Sequence, residues 1–500
     1  MNHQSSAIII GAGVAGLASA VRLAAQGFTV TVFEKNERAG GKISYFTEKG
    51  YCFDGGPSLF TQPQNIEELF ALADEPIGDY FEYKSIPVAC KYFYEDGTVI
   101  NGFADAEKLA KELAEKTGES EKEVIKYIAH SKELYETTGS IFLNYSLHKQ
   151  STLFKAPIAK ALLHTSPRYL FSSFNKVNKS SFANAHTVQL FNRYATYNGS
   201  NPYKAPGMLS VIPHLEYNEG IYYPKGGMIR IADALYRLAL KKGVQFRFNT
   251  PVQSIICNGT EAKGVVVNNE NHFADVIVSN MDVYFTYKNL LKDEGKAKQI
   301  LKQERSSSAF IFYWGIDKIF PQLELHNIFF SGNYKEEFNH IFNTKTLYND
   351  PTVYINITSK CEPGIQSPEG KENWFVMVNA PANVGQYSEQ WKAQLKQSII
   401  AKLNRILHTD IASLIETEHT LDPVMIESNT SSYAGSLYGT SSNSKMAAFL
   451  RHPNFSKAIN RLYFVGGSVH PGGGIPLCLQ SAKIMSNIVA DDKKRWANAH

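Results

Sequence analysis

Residues 7–34 read AIIIGAGVAGLASAVRLAAQGFTVTVFE. The apolar run at 7–10 predicts a short buried strand, and Gly11, Gly13 and Gly16 follow it in G-x-G-x-x-G spacing. From residue 14 the period becomes helical: Val14, Leu17 and Val21 share a face, and Gly27 supplies a stop. Residues 28–33, FTVTVF, predict a second strand that ends at Glu34. Each part has a physical task. Gly11 permits a tight turn, Gly13 lets a pyrophosphate approach bare backbone, and Gly16 lets the helix lie close on the sheet. The helix start presents free N–H groups and its positive dipole end to the phosphates. Glu34 is placed to accept hydrogen bonds from a ribose. A merely structural glycine turn has no need of that acid, so the whole unit predicts a dinucleotide site.

The next residues bear on which dinucleotide. Residues 34–42 read EKNERAGGK. Gly40 and Gly41 followed by a basic residue resemble the second signature of FAD enzymes in the glutathione-reductase-like superfamily, which NAD dehydrogenases usually lack. The resemblance implies FAD, with Gly41 bringing backbone to the cofactor and Lys35 and Lys42 beside it. Many relatives carry Arg at position 42; Lys offers a point charge there rather than a bidentate fork.

Three further segments narrow the resemblance. Residues 51–58 read YCFDGGPS, residues 223–228 read YPKGGM, and residues 462–482 read LYFVGGSVHPGGGIPLCLQSA. All three resemble segments of the phytoene-desaturase-like carotenoid and retinoid oxidoreductases, and the likeness runs essentially full length. It implies an α/β fold: a Rossmann-type FAD-binding domain of the glutathione-reductase and amine-oxidase kind, with an inserted α+β substrate domain. It also implies cofactor contacts from Gly56, Pro57 and Ser58, from Val252 through its backbone to the adenine, and from Gly466, Gly467, Gly474, Ile475 and Pro476. A helix beginning near Leu477 would turn its positive end toward the reduced flavin. After residue 228 the pattern predicts a helix with Ile231, Leu235 and Leu238 inward. Strand-like runs then follow, closing with ADVIVSN from Ala274.

Composition agrees with a soluble globular chain. The 500 residues suggest two or three domains. We divide them as FAD-binding segments 1–80, 216–294 and 436–500, alternating with substrate-domain segments 81–215 and 295–435. The 27 Tyr and 30 Phe could line a large apolar cavity or simply form core. A net charge of +4 gives no argument for nucleic acid. Five scattered cysteines without a CxxC pair argue against a disulfide framework or a zinc site, and no metal is expected. No secretory leader is evident, and no window has the roughly 18 apolar residues of a spanning helix. A cytoplasmic protein is expected, with any membrane contact peripheral.

Residues 137–215 contain no Asp or Glu but carry Lys149, Lys155, Lys160, Arg168, Lys176, Lys179, Arg193 and Lys204. Leu153, Phe154, Ile158, Leu162, Leu163, Tyr169, Leu170, Phe171 and Phe174 lie between them. Such a mixture suits an anionic bilayer, so part of 140–180 is expected to dock on the inner membrane face and open a substrate tunnel there. The alternative is a helical lid over a core. Residues 191–216, FNRYATYNGSNPYKAPGMLSVIPHLE, resemble hydroxycarotenoid 3,4-desaturases more than proteobacterial phytoene desaturases.

The reaction this implies is dehydrogenation of an allylic CH2–CH2 unit, with hydride passing to the flavin and a proton to a base. Oxygen or a membrane quinone would reoxidise the cofactor. Many relatives carry an acid near 182–186, but residues 181–186 read SFANAH and the base stays unassigned. His470, beside the closing glycine loop, is a candidate whose other reading is a structural hydrogen bond. Arg193 could orient a polar substrate end or pair with a backbone carbonyl; Tyr197 and His214 are similar candidates. The favoured reading is a desaturase of a 1-hydroxylated carotenoid. Phytoene desaturase, a retinoid saturase and an amine oxidase share the fold, and Cys478 lacks the usual context of a covalent flavin link. A prenyl-protein escort on this fold would not need the intact glycines and Glu34.

Overall fold

Strand Ser6–Ile10 is apolar from Ala7 onward, without alternation, because both of its faces are buried. Ala7 and Ile9 enter one hydrophobic core, and Ile8 and Ile10 enter another. The computed structural model describes residues 4–149, 166–444, 446 and 451–497. In it this strand is the centre of a five-stranded parallel sheet. The order is Leu462–Phe464, Val276–Ser279, Ser6–Ile10, Thr29–Phe33 and Gln245–Arg247. Ile8 pairs with Thr31 on one side and Ile277 on the other.

On the face of Ala7 and Ile9 lie helices Val14–Ala25, Ile229–Lys241 and Ile475–Ala497. An antiparallel meander, Val252–Asn258, Glu261–Val267 and Glu270–Phe273, covers the other face. Ile231, Leu235 and Leu238 point inward as the periodicity predicts. The last helix starts two residues before the expected Leu477. Pro476 falls inside its first turn, where a missing N–H costs no hydrogen bond.

A second, seven-stranded sheet comes from chain segments lying between those that build the first. Its order is Ile415–Leu421, Ser308–Ile316, Glu372–Ala380, Val353–Asn356, His326–Phe329, Val88–Phe93 and Val99–Phe103. Only the pairing of His326–Phe329 with Val88–Phe93 is parallel. Strand Ser308–Ile316 is buried at every residue and divides its side chains by the two-residue period of a strand. Phe310, Phe312 and Trp314 pack with Leu395, Ile399 and Leu403 of helix Glu389–Leu407. Ala309, Ile311 and Tyr313 face a cavity. The chain is thus α/β, a Rossmann-type domain carrying a second α+β unit.

Leu153, Phe154, Lys155, Ile158, Lys160, Leu162 and Leu163, expected to meet the membrane, lie outside the described residues. Among the described residues no helix is long and apolar enough to cross a membrane, and no group of His, Cys, Asp and Glu is placed to hold a metal.

Candidate active site

One cavity of about 1140 Å³ runs from the C-terminal ends of the parallel strands to the inner face of the seven-stranded sheet. Ligands of open α/β sheets bind at such strand ends. Of the residues expected at the cofactor, Gly11, Gly13, Glu34, Lys35, Gly41, Lys42, Gly56, Pro57, Ser58, Val252, Gly466, Gly467, Gly474, Ile475 and Pro476 line this cavity. Gly16 does not. A Cβ there would lie 2.1 Å from the Gly11 carbonyl oxygen, so its task is to let helix and strand approach.

The glycine loops form a cradle without room for side chains. A Cβ on Gly41 would lie 3.0 Å from Gly13 Cα. Helix Val14–Ala25 has no side-chain cap and no acid in its first turn, which leaves its opening N–H groups for an anion. Glu34 is held at its strand end: Oε2 accepts from the Ala12 N–H at 2.7 Å and Oε1 from the Asn36 N–H at 2.9 Å. Each oxygen keeps a lone pair for a ribose hydroxyl. Lys42 donates to the Leu437 and Ser436 carbonyls at 2.8 and 3.4 Å, and burial lowers its pKa despite the pull of Cys478 and Asp282. Lys35 donates to the Ser428 carbonyl and the Ser431 hydroxyl at 3.1 and 3.0 Å. Burial pushes the Cys478 thiol up to about 11, so it stays protonated.

Several cavity residues escaped the sequence reading, Asn280, Asp282 and Arg451 among them. Asn280, which follows strand Val276–Ser279, stitches two distant loops together: a Cβ on Gly13 would meet its Nδ2 at 2.8 Å, and one on Gly466 its Oδ1 at 2.8 Å. Asp282 accepts from the Tyr284 N–H at 2.9 Å and lies 3.7 Å from Arg305. Arg451 is buried beside Gly472 and donates to the Tyr438 carbonyl at 2.8 Å. Burial and the nearby Arg305 lower its pKa to about 10. The end of the strand before it was the signal for Asn280; Arg451, beyond any motif, gave none.

At the sheet end of the cavity Arg193 pairs with a carboxylate rather than the backbone carbonyl weighed above. Its Nη2 meets Glu216 Oε1 and Oε2 at 2.9 and 2.8 Å, its Nε donates to Tyr92 Oη at 2.9 Å, and its Nη1 donates to Tyr197 Oη at 3.2 Å. Tyr194 donates to Glu216 at 2.6 Å, and Tyr197 donates to the same carboxylate. The pair is buried and internally satisfied, as a buried ion pair must be. His214 does not line the cavity; it faces Glu219 at 3.4 Å. His470 is also outside the lining, fully buried, with Nε2 donating to the Tyr145 carbonyl at 2.9 Å. Burial, with His148 nearby, lowers its pKa to about 4 and keeps it neutral. Residues 181–186 contribute nothing to the lining. The cavity's carboxylates are instead Glu34, Glu37, Glu216 and Asp282.

Comparison with known proteins extends this geometry. The family model of flavin containing amine oxidoreductases matches residues 14–490. The chain is 53% identical, over 97% of its length and 98% of the relative's, to a 1-hydroxycarotenoid 3,4-desaturase of Flavobacterium sp. (strain P99-3). It is 32% identical, over 98% of its length and 99% of the relative's, to a 4,4'-diapolycopene oxygenase of Methylomonas sp. A solved oxidoreductase structure from Methanosarcina mazei superposes with a TM-score of 0.64 at 15% identity, covering 97% of this chain and all of that one, which shows a shared fold. The chain therefore belongs to the flavin containing amine oxidoreductase family, on the branch of the carotenoid desaturases and oxygenases.

Proposed function

We propose that the chain is an FAD-dependent carotenoid desaturase that removes hydrogen from a CH2–CH2 unit of a 1-hydroxylated carotenoid, extending its polyene. The observation that carries this reading is the continuity of this cavity: its strand-end half is built of nucleotide-cradling loops, and its other half is walled by residues such as Ile212, Leu215, Ile311, Ile328, Phe375 and Met377. Bound FAD would supply the hydride acceptor. The chain's own residues hold a long hydrocarbon against that cofactor and exclude water from it. The name of the 53% identical relative supports the 1-hydroxylated substrate.

The acid-free segment 137–215 supports contact with the inner membrane face from the cytoplasmic side, where a carotenoid would enter and a quinone, or oxygen, would take the electrons. Within it Phe171 is 65% exposed, and Lys176 and Lys179 are exposed on the next helix.

The test is a paired assay of the FAD-loaded protein in liposomes, with phytoene and with a 1-hydroxylated carotenoid, read by product absorbance. A red shift with the hydroxylated substrate alone is expected. Turnover of phytoene instead would move the enzyme to an earlier desaturation, and silence on both substrates with flavin bound would overturn the reading.

A further inference from the structure

Strand Glu372–Ala380 lies in the interior of the seven-stranded sheet and divides its side chains by the two-residue period. Trp374, Val376, Val378 and Ala380 enter the core shared with helix Glu389–Leu407. Phe375, Met377 and Asn379 line the cavity. Val376, Val378 and Ala380 are buried, whereas Met377 and Asn379 are half-buried, so the surface this stretch retains is turned to the cavity. An amide is out of character on that wall. Ala309 pairs with Asn379 in the strand register, and Ile311, Phe375, Met377 and Leu421 line the same side.

Other polar side chains lining this half of the cavity are spent on the protein itself. Arg193, Glu216 and Tyr197 bond one another. Tyr354 bonds Ser58 and His326 at 2.8 and 2.7 Å, Tyr313 donates to the Gly55 carbonyl at 3.0 Å, and Thr352 donates to Glu337 at 2.7 Å. Asn379 differs. Its amide makes no hydrogen bond among the described residues, and both its oxygen and its nitrogen keep accessible surface. A hydroxyl both donates and accepts, and so does a carboxamide, so the two can pair whichever way the amide is turned.

The end of the sheet that holds Asn379 adjoins the cofactor loops. The Ser307 N–H donates to the Gly199 carbonyl at 3.0 Å, and the Leu437 N–H donates to the Ser307 carbonyl at 3.2 Å. Tyr438, the next residue, packs on the closing glycine loop so tightly that a Cβ on Gly473 would lie 2.7 Å from its Cα. We propose that the Asn379 amide binds the hydroxyl of the substrate and so selects a hydroxylated over an unsubstituted carotenoid end. This rests on the desaturase reading above and gives it a specificity residue. A hydrocarbon end would strip water from the amide and return no hydrogen bond, which is how a polar site rejects the analogue lacking its partner group.

The test compares wild type, Asn379→Leu and Asn379→Ser, each FAD-loaded in liposomes, on a 1-hydroxylated carotenoid and on the same skeleton without the hydroxyl. The readout is the ratio of kcat/KM for the two substrates. Wild type is expected to favour the hydroxylated one. Asn379→Leu, close to the amide in size, should lower the ratio about tenfold or more, with KM raised for the hydroxylated substrate and lowered for the other. Asn379→Ser, which keeps a donor and an acceptor, should hold part of the preference. Flavin absorbance and melting temperature check that the variants fold; if the Leu variant loses its flavin, the Ser variant and the wild-type ratio decide. Tyr334 also lines the cavity with a hydroxyl that has no partner among the described residues, so Tyr334→Phe is run beside them. An unchanged ratio in Asn379→Leu, loss of the preference in Tyr334→Phe alone, or no preference in wild type overturns the inference and leaves the desaturase reading standing. Turnover of neither substrate by wild type overturns both.

Discussion

Gly16 shows how much a single missing methyl can decide. Its Cβ position falls 2.1 Å from a backbone oxygen that cannot swing away, unlike the open space around Gly27. Gly16→Ala is therefore expected to force the first helix off the sheet, costing about 1–3 kcal/mol and lowering the flavin-to-protein absorbance ratio. Retention of flavin at full occupancy with an unchanged melting temperature would contradict this. Gly16 was legible because a nucleotide loop is a local device whose demands fall within six residues. For Asn280 the sequence marked only a strand end, because its task is to touch Gly13 and Gly466, residues far from it in the chain.

At the scale of elements, the Arg193–Glu216 pair joins the 3-10 turn Arg193–Asn198 to helix Pro213–Tyr217 and closes the sheet end of the cavity. Arg193 was visible in the sequence as a cation in an apolar neighbourhood, but which group would answer it was not. Removing one partner strands a buried charge. Arg193→Met or Glu216→Leu alone should each cost about 3–5 kcal/mol, and the double variant should cost much less than their sum. Chemical denaturation of all four proteins measures the coupling; additive losses would show that the pair is not a unit. The same scale explains the seven-stranded sheet. Alternation along Ser308–Ile316 is hidden in the sequence because both faces are buried, one by helix Glu389–Leu407 and the other by the cavity wall.

For the whole molecule, buried neutral histidines, His326 and His470 among them, make stability depend on pH in a definite direction. His326 has a pKa near 3 and His470 near 4, against about 6.5 for an unfolded histidine. Below pH 6.5 the unfolded chain binds protons that the folded one refuses, so stability falls as pH drops through that window. At pH 5 each residue should cost about 2 kcal/mol relative to pH 8. The melting temperature should decline from pH 6.5 downward, and His470→Gln, though less stable at pH 8, should decline less steeply; parallel curves would refute the assignment. A second prediction at this scale concerns the basic, acid-free segment. The protein should float with anionic vesicles at low salt and release at high salt, and failure to float would remove the membrane from the proposal.

The sequence by itself determined the nucleotide-binding half of the molecule. Its glycines, strand runs and terminal acid are short-range requirements of backbone geometry, and the closing glycine loop repeats them at the other end of the chain. Tertiary structure alone decided what stands at the sheet end of the cavity. Strand register places Asn356 opposite His326, Arg193 is committed because a helix twenty-three residues on brings Glu216 to it, and segment 181–186 falls outside the cavity lining. Partners of buried polar groups are chosen by packing between distant segments, and the local pattern of residues carries no record of that choice.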